Sequence, residues 1–406
     1  VPRFAYEALD AEGRIIQGVV EAPTVEAVIE DLRNIRYTVT NVKEQADLFA
    51  YFRLLRVRLM RVNLWAMVLF TRQFATLFNS GVPLLRGFEG LVKQTTNRRL
   101  QMALRDVHND IRSGATIARA MAKHPDVFTP VYIALVRAGE MAGALGEILD
   151  RTATFLEKDY KLRKKVQSAT TYPLLVFIIA IIITTVMVIY VFPTFTSLLD
   201  GLNVPLPWPT RLLIFVTEFA RSPTCAVLVF VVVPVCIYLF TRYIKTKQGK
   251  YNWDRFLIEV PVIGLINRKV VISRFCRTLS TLLASGVPML HALEIVSKVS
   301  GNEVVAEILD EIRRAVKGGM RLSAPLREYH LFPPIVPHMV NVGEETGNLP
   351  EILIKVANFY DTEIEALLSQ FATLIEPFMI SFMGLMVLFI LLAVFLPVYQ
   401  ILQNLG

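Results

Sequence analysis

The chain has 406 residues, 54% of them hydrophobic and 19% charged, with a mean hydropathy of +0.48. So apolar a composition excludes an ordinary soluble protein and implies membrane-embedded segments. The net charge of +8 would suit a nucleic-acid binder, but no basic face interleaved with aromatic residues accompanies it, and Cys225, Cys236 and Cys276 have neither disulfide nor zinc spacing.

Residues 1–46 read as a small α/β module: alternating FAYEALD, a turn at AEG, alternating RIIQGVVEA, a helix capped by Thr24 and running to about Ile35, then YTVTNV as a strand. The opening VPRFAYEALD is mixed and polar, unlike a cleavable leader. Residues 47–65 place Phe49, Phe52, Leu55 and Leu59 on one helical stripe and Arg53, Arg56, Arg58 and Arg61 largely elsewhere. That amphipathic linker suits either an interfacial helix on an anionic leaflet or a plain connecting helix.

A first helical bundle is expected over 66–171 and a charge-free span over 172–192, long enough to cross a hydrocarbon core of roughly 30 Å. A loop (193–223), whose amphipathic stretch TRLLIFVTEFA from Thr210 to Ala220 leaves open a dip into the membrane, leads to a second span (224–241), which contains Pro234. A connector (242–270), a second bundle (271–374), a third span (375–397) and a tail (398–406) complete the chain. Lys158, Lys161, Arg163, Lys164 and Lys165 precede the first span, and Arg242, Lys245, Lys247 and Lys250 follow the second, whereas the loop between has only Arg211 and Arg221. The positive-inside rule therefore predicts cytoplasmic bundles and N-terminus, with the loop and C-terminus periplasmic.

The two bundles repeat one another. Phe70 to Glu89 and Phe275 to Glu294 agree without gaps at ten of their positions, including the turn Ser-Gly-Val-Pro at Ser80, Gly81, Pro83 and at Ser285, Gly286, Pro288. Next come amphipathic helices with Leu100, Leu104, Val107 and Ile111 in the first copy and Val305, Ile308, Ile312 and Val316 in the second. Then the pattern G-E-x-x-G-x-L-x-E-I-L recurs from Gly139 and from Gly343, with second glycines at Gly143 and Gly347. Each copy leads to a proline, Pro173 or Pro377, expected to open a span. The chain thus carries an internal duplication of helical units. Gly81 and Gly286 are expected to end helices in the left-handed region, with Pro83 and Pro288 in the first turn of the next helix. Asn348 with Glu351 reads as a capped helix start. Arg72, Glu89, Glu140, Arg277, Glu294 and Glu344 are candidate partner contacts, the turn residues structural.

No phosphate-binding loop, zinc-protease helix or nucleophile elbow occurs, and the span interiors contain no ionisable side chain. Thr184, Thr185, Ser381 and Gly384 read as helix-packing residues. The expectation is a protein that is no enzyme and needs no cofactor or metal, a transporter or channel being the remote alternative.

The duplicated S-G-V-P turns, the G-E-x-x-G-x-L motifs, the proline at each span and the VFPTFTSLL…LPWPTRLL loop together resemble the inner-membrane platform proteins of type II secretion and type IV pilus assembly. The resemblance runs from about Leu64 to the end, and the first residues resemble that family's leading module. It implies an all-α membrane scaffold with two cytoplasmic bundles, three transmembrane helices and a small N-terminal α/β module. It further implies a homo-oligomer that couples a cytoplasmic hexameric ATPase to pilin or pseudopilin subunits, alongside other inner-membrane alignment proteins.

Overall fold

A computed structural model describes residues 3–9, 15–22, 25–34, 37–45, 62–194, 207–261 and 263–405. The AEG turn, the Thr24 cap, the amphipathic linker up to residue 61 and loop residues 195–206 lie outside the described residues.

The N-terminal module is a three-stranded antiparallel sheet in the order β2-β1-β3, formed by β1 (Arg3–Leu9), β2 (Ile15–Glu21) and β3 (Thr38–Gln45). Helix α1 (Val25–Asn34) covers it through Val28 and Leu32, which meet Phe4 and Ala22 in a core of modest size. The described remainder is helical.

The first copy comprises α2 (Leu64–Asn79), α3 (Leu84–Gln94), α4 (Arg98–Arg112), the short α5 (Ile117–Met121), α6 (Pro130–Ala142) and the start of α7. Its aromatic core holds Phe70, Phe74, Phe88, Phe128 and Tyr132. Helix α8 (Trp208–Arg221), α9 (Pro223–Ile244) and α10 (Lys247–Glu259) lead to the second copy. That copy comprises α11 (Ile263–Ala284), α12 (Met289–Val299), α13 (Glu303–Lys317), α14 (Ser323–Leu326), α15 (Ile335–Thr346) and α16 (Leu349–Leu405). The second bundle begins about two turns earlier than expected, because Ile266 and Val270 on α11 pack with Ile364 and Leu368 on α16 and extend the helix toward the membrane.

One difference from the sequence reading changes the architecture. Pro173 and Pro377 do not open new helices but lie inside α7 and α16, each of which rises from its bundle into an apolar span without interruption. Membrane helices tolerate such prolines because surrounding structure satisfies the freed carbonyl. Helix α7 continues to Thr194, 50 residues from its start at Leu145 and so about 75 Å long. Among the described residues, helices α7, α9 and α16 are long and apolar enough to cross a membrane.

Helices α7 and α16 run side by side through their spans. Thr184 Oγ1 lies 3.2 Å from Met386 Sδ, and the rings of Phe177 and Phe382 are 6.3 Å apart. Helix α8, which the sequence left as loop, packs on their far ends. Leu213 joins Val188, Phe192 and Ala393 in one apolar cluster, and Thr210 Oγ1 donates to the Ala393 carbonyl at 2.7 Å. Helix α7 makes a π turn at Met187–Val191, which breaks its regular ladder; Thr217 and Arg221 donate to the carbonyls of Val188 (3.3 Å) and Ile189 (2.5 Å). Thus α8 is applied to the apolar part of two spans. By contrast, α9 buries none of its apolar window against the chain.

The repeated turn has the same geometry in both copies. Gly81 and Gly286 have φ of 76° and 82°, and the N–H groups of Val82 and Val287 reach back to the carbonyls of Leu77 (3.2 Å) and Leu282 (3.0 Å), closing a Schellman turn. Pro83 and Pro288 stand one residue earlier than expected: each is the extended N-cap, its carbonyl accepting the first bond of the following helix. Gly81→Val or Gly286→Val should therefore cost about 1–2 kcal/mol through the positive φ alone, since no neighbour lies within 4 Å of the added Cβ. Gly90→Ala, in open space inside α3, should instead stabilise by about 0.5–1 kcal/mol. Thermal unfolding of the detergent-solubilised chain checks both signs.

Candidate functional site

The candidate residues divide into a buried frame and an exposed face. The pattern beginning at Gly139 and Gly343 belongs to the frame, and each of its letters has a physical task. A Cβ on Gly139 would stand 3.1 Å from Ile148 Cβ and 3.2 Å from Leu145 Cα, and one on Gly343 would stand 3.0 Å from Leu349 Cα. These glycines let α6 and α15 approach the long helices that follow. Gly143 and Gly347, at φ 66° and 70°, make the left-handed turn between them.

The glutamates between these glycines act at a distance along the chain. Glu140 accepts backbone N–H bonds from Ile117 (2.5 Å) and Ala118 (2.9 Å), and Glu344 accepts them from Leu322 (2.6 Å) and Ser323 (3.2 Å) as well as the Ser323 hydroxyl (2.6 Å). Each carboxylate thus satisfies the first amides of the short helix of its own bundle, where the helix dipole also favours negative charge. The expected partner contacts at Glu140 and Glu344 are thereby committed to holding α5 and α14 in place. Asn348, the N-cap of α16, donates its side-chain amide to Glu351 at 2.5 Å.

Arg72 and Arg277 also belong to the frame. Arg72 Nε lies 2.7 Å from Glu157 on α7, its other nitrogens reaching Asp150 and Thr154. Its hydrogen bond draws the Glu157 carboxyl below its ordinary range against the opposing effect of burial. Arg277 was expected to be exposed and is instead buried, 2.5 Å from Asp361 on α16, with Asn358 also in reach. In both copies an arginine on the first bundle helix is tied to an acid on the helix that enters the membrane.

The bundles meet along a seam. The second core continues into Val131, Ala134, Leu135 and Ile148 of the first copy, and Arg151 donates to the Ala284 carbonyl at 2.9 Å. A cavity of about 480 Å³ lies there between α7, α11 and α16. Of the three cations that line it, Arg277 and Arg151 are paired with Asp361 and Glu147, and Lys158 has no ion pair among the described residues.

The exposed face includes Glu89 and Glu294, each paired along its own helix with Lys93 (2.8 Å) or Lys298 (2.6 Å). Sequence reasoning missed a stronger feature beside Glu89. Arg98, Arg105 and Arg112, at i, i+7 and i+14, form one exposed stripe along α4, and none of them is ion-paired among the described residues. At the same helix positions the second copy has Glu303, Asp310 and Lys317, with Glu303 bound to Lys250 (2.6 Å) and Asp310 to Arg313 (3.5 Å). Arg98 also sits in the first turn, where the dipole disfavours a cation, whereas Glu303 fits the dipole. Aligning the two copies charge by charge would have found the stripe.

Known proteins resemble this chain over its whole length. The family model described as "Type II secretion system (T2SS), protein F" matches residues 70–193 and again 275–397, and that of the protein F N-terminal domain matches residues 1–43. Each repeat match ends with its span, in keeping with the unbroken α7 and α16. The chain is 37% identical over 408 residues to the type IV pilus assembly protein PilC of Thermus thermophilus, covering 100% of both chains. It is 34% identical to PilC of Myxococcus xanthus, over 98% of this chain and 95% of that one. With the type II secretion system protein F of Pseudomonas aeruginosa it shares 31% identity over 99% of both.

The division into frame and face makes a quantitative prediction. Glu140→Ala or Glu344→Ala leaves backbone donors unsatisfied and should cost about 2 kcal/mol or more, while Glu294→Ala should change stability little. Chemical unfolding followed by circular dichroism separates the two, and equal costs would contradict the division.

Proposed function

This chain belongs to the type II secretion system protein F family, and on that premise we propose that it is the inner-membrane platform of a type IV pilus assembly machine. In this reading a cytoplasmic hexameric ATPase acts on the bundles and the spans pass its movement to pilin subunits, with inner-membrane alignment proteins and further copies of the chain completing the platform. The observation that carries the reading is that each bundle and its span share a single helix. Tied to their bundles by Arg72–Glu157 and Arg277–Asp361, α7 and α16 turn a displacement of the bundles into a displacement inside the bilayer. The basic residues flanking the first two spans support cytoplasmic bundles and a periplasmic C-terminus.

The type II secretion platform is the second reading, supported by the relative at 31% identity over nearly the full length. We prefer the pilus reading because PilC relatives reach 37% and 34%. Deleting the gene separates the two: the pilus reading expects lost surface filaments with pilin retained in the membrane, and the secretion reading expects filaments intact and an exported protein retained.

We propose further that the first copy meets the driving partner, a reading that the charge difference between the copies supports. The arginine stripe on α4 suits an acidic face of that partner, and the placement of Arg98 against the helix dipole is what a binding role would require. Replacing Arg98 and Arg105 with glutamate should leave abundance unchanged or slightly raised and should abolish filaments. The mirror change, Glu303→Arg with Asp310→Arg, should cost stability and leave assembly in proportion to the protein remaining. Filament counts normalised to membrane-protein level check this, and wild-type filaments in the first variant would remove the stripe from the account.

A further inference from the structure

We propose that a groove between α7 and α16 at the membrane border holds the phosphate-bearing headgroup of an anionic phospholipid. The groove has a volume of about 480 Å³. Helix α7 contributes Lys161, Lys164, Lys165 and Ser168, which share one helical stripe, and α16 contributes Glu365 and Ser369. Lys165 is paired with Glu365, whereas Lys161 and Lys164 have no ion pair among the described residues. Two cations without a close ion pair, Lys161 feeling only the more distant Glu157 carboxylate, and two hydroxyls therefore line a space of headgroup size.

Position selects a lipid over a soluble anion. Lys164 lies eight residues before Tyr172, where the charge-free span begins, hence about 12 Å along the helix axis, and Lys161 lies a further turn out, at about 16 Å. A headgroup layer extends roughly 5–7 Å beyond the hydrocarbon, and the Lys164 stem bridges the remainder by reaching toward it, with Lys161 at the outer edge of the groove. Ala169 and Leu368 line the same groove and give an apolar wall. The wall continues into the span, where acyl chains would follow the seam between Phe177 and Phe382. Basic grooves between membrane helices on the cytoplasmic side suit anionic headgroups for this reason.

The other basic cluster near the membrane provides a control. Lys245 and Lys247 flank α9, whose apolar window is not buried by any other described residue, so that it forms no groove with another span among the described residues. Equal attraction of both clusters for lipid would reduce the effect to general surface electrostatics.

The test is native mass spectrometry of the full chain released from detergent micelles doped with phosphatidylglycerol or phosphatidylcholine. Retention of phosphatidylglycerol should exceed that of phosphatidylcholine by about twenty-five-fold, given roughly a fivefold effect for each of the two lysines near an anionic headgroup. Lys161→Gln with Lys164→Gln should abolish the preference, and Lys245→Gln with Lys247→Gln should keep it. Because the first variant could fold poorly, Ser168→Ala with Ser369→Ala provides a second measure: the charge is unchanged and retention should fall severalfold. Three outcomes would overturn the proposal. These are loss of preference in both lysine variants, full retention in the Lys161 and Lys164 variant, and displacement of the lipid by millimolar inorganic phosphate, which would indicate a soluble-anion site.

Discussion

The rest of the structure depends on the requirement that a backbone in lipid satisfy its own hydrogen bonds. Helix α7 and α16 cannot unwind where they enter the membrane without exposing carbonyls and amides to hydrocarbon, and they do not unwind below it either, because bundle contacts hold them to their first residues. The result is two rods, each half core and half span, set side by side. The small elements of the fold serve to fix the lower halves: glycines that let α6 and α15 come close, glutamates that pin α5 and α14, arginines that clamp α2 and α11 to the rods. Helix α8 does the same at the upper ends, with Thr210, Thr217 and Arg221 donating to carbonyls of both spans.

Duplication makes the division of labour visible within a single chain. Where the two copies agree, as at Gly81 and Gly286 or at Glu140 and Glu344, the shared residue has a geometric reason that both bundles need. Where they differ at an exposed position, the frame imposes nothing. Arg98 and Glu303 begin the same helix with opposite charges, and the first choice is the one local electrostatics disfavours. A duplicated protein thus carries its own control for telling stability from binding.

Much of this was legible from the residues. Charge-free runs located the spans because burying an unpaired charge in lipid is costly, and the repeated Gly-Pro turns located the bundles because few residues accept φ near 80°. What escaped had non-local causes. Pro173 and Pro377 mark where the apolar runs begin, but that a single helix continues through each of them depends on membrane packing, which permits proline inside a helix. Arg277 looked exposed because Asp361, which neutralises it, lies 84 residues away. The amphipathic pattern of α8 was legible within the loop, but not what it packs on, because Val188, Phe192 and Ala393 lie far away in sequence and only the carbonyls beside the π turn explain Arg221. The lysines before the first span read as topology, which concealed that three of them share a groove with α16.

The central claim is that stiffness of the shared helix carries motion from bundle to bilayer. It is tested most directly at Gln370, Thr373 and Leu374, which are exposed on α16 just below its span. Replacing all three with alanine or all three with glycine removes the same side chains, but glycine weakens the helix by about 1 kcal/mol per residue relative to alanine. Filament number per membrane-inserted protein should stay near wild type in the alanine variant and collapse in the glycine variant. Equal filament numbers in the two, at equal protein abundance, would contradict the account.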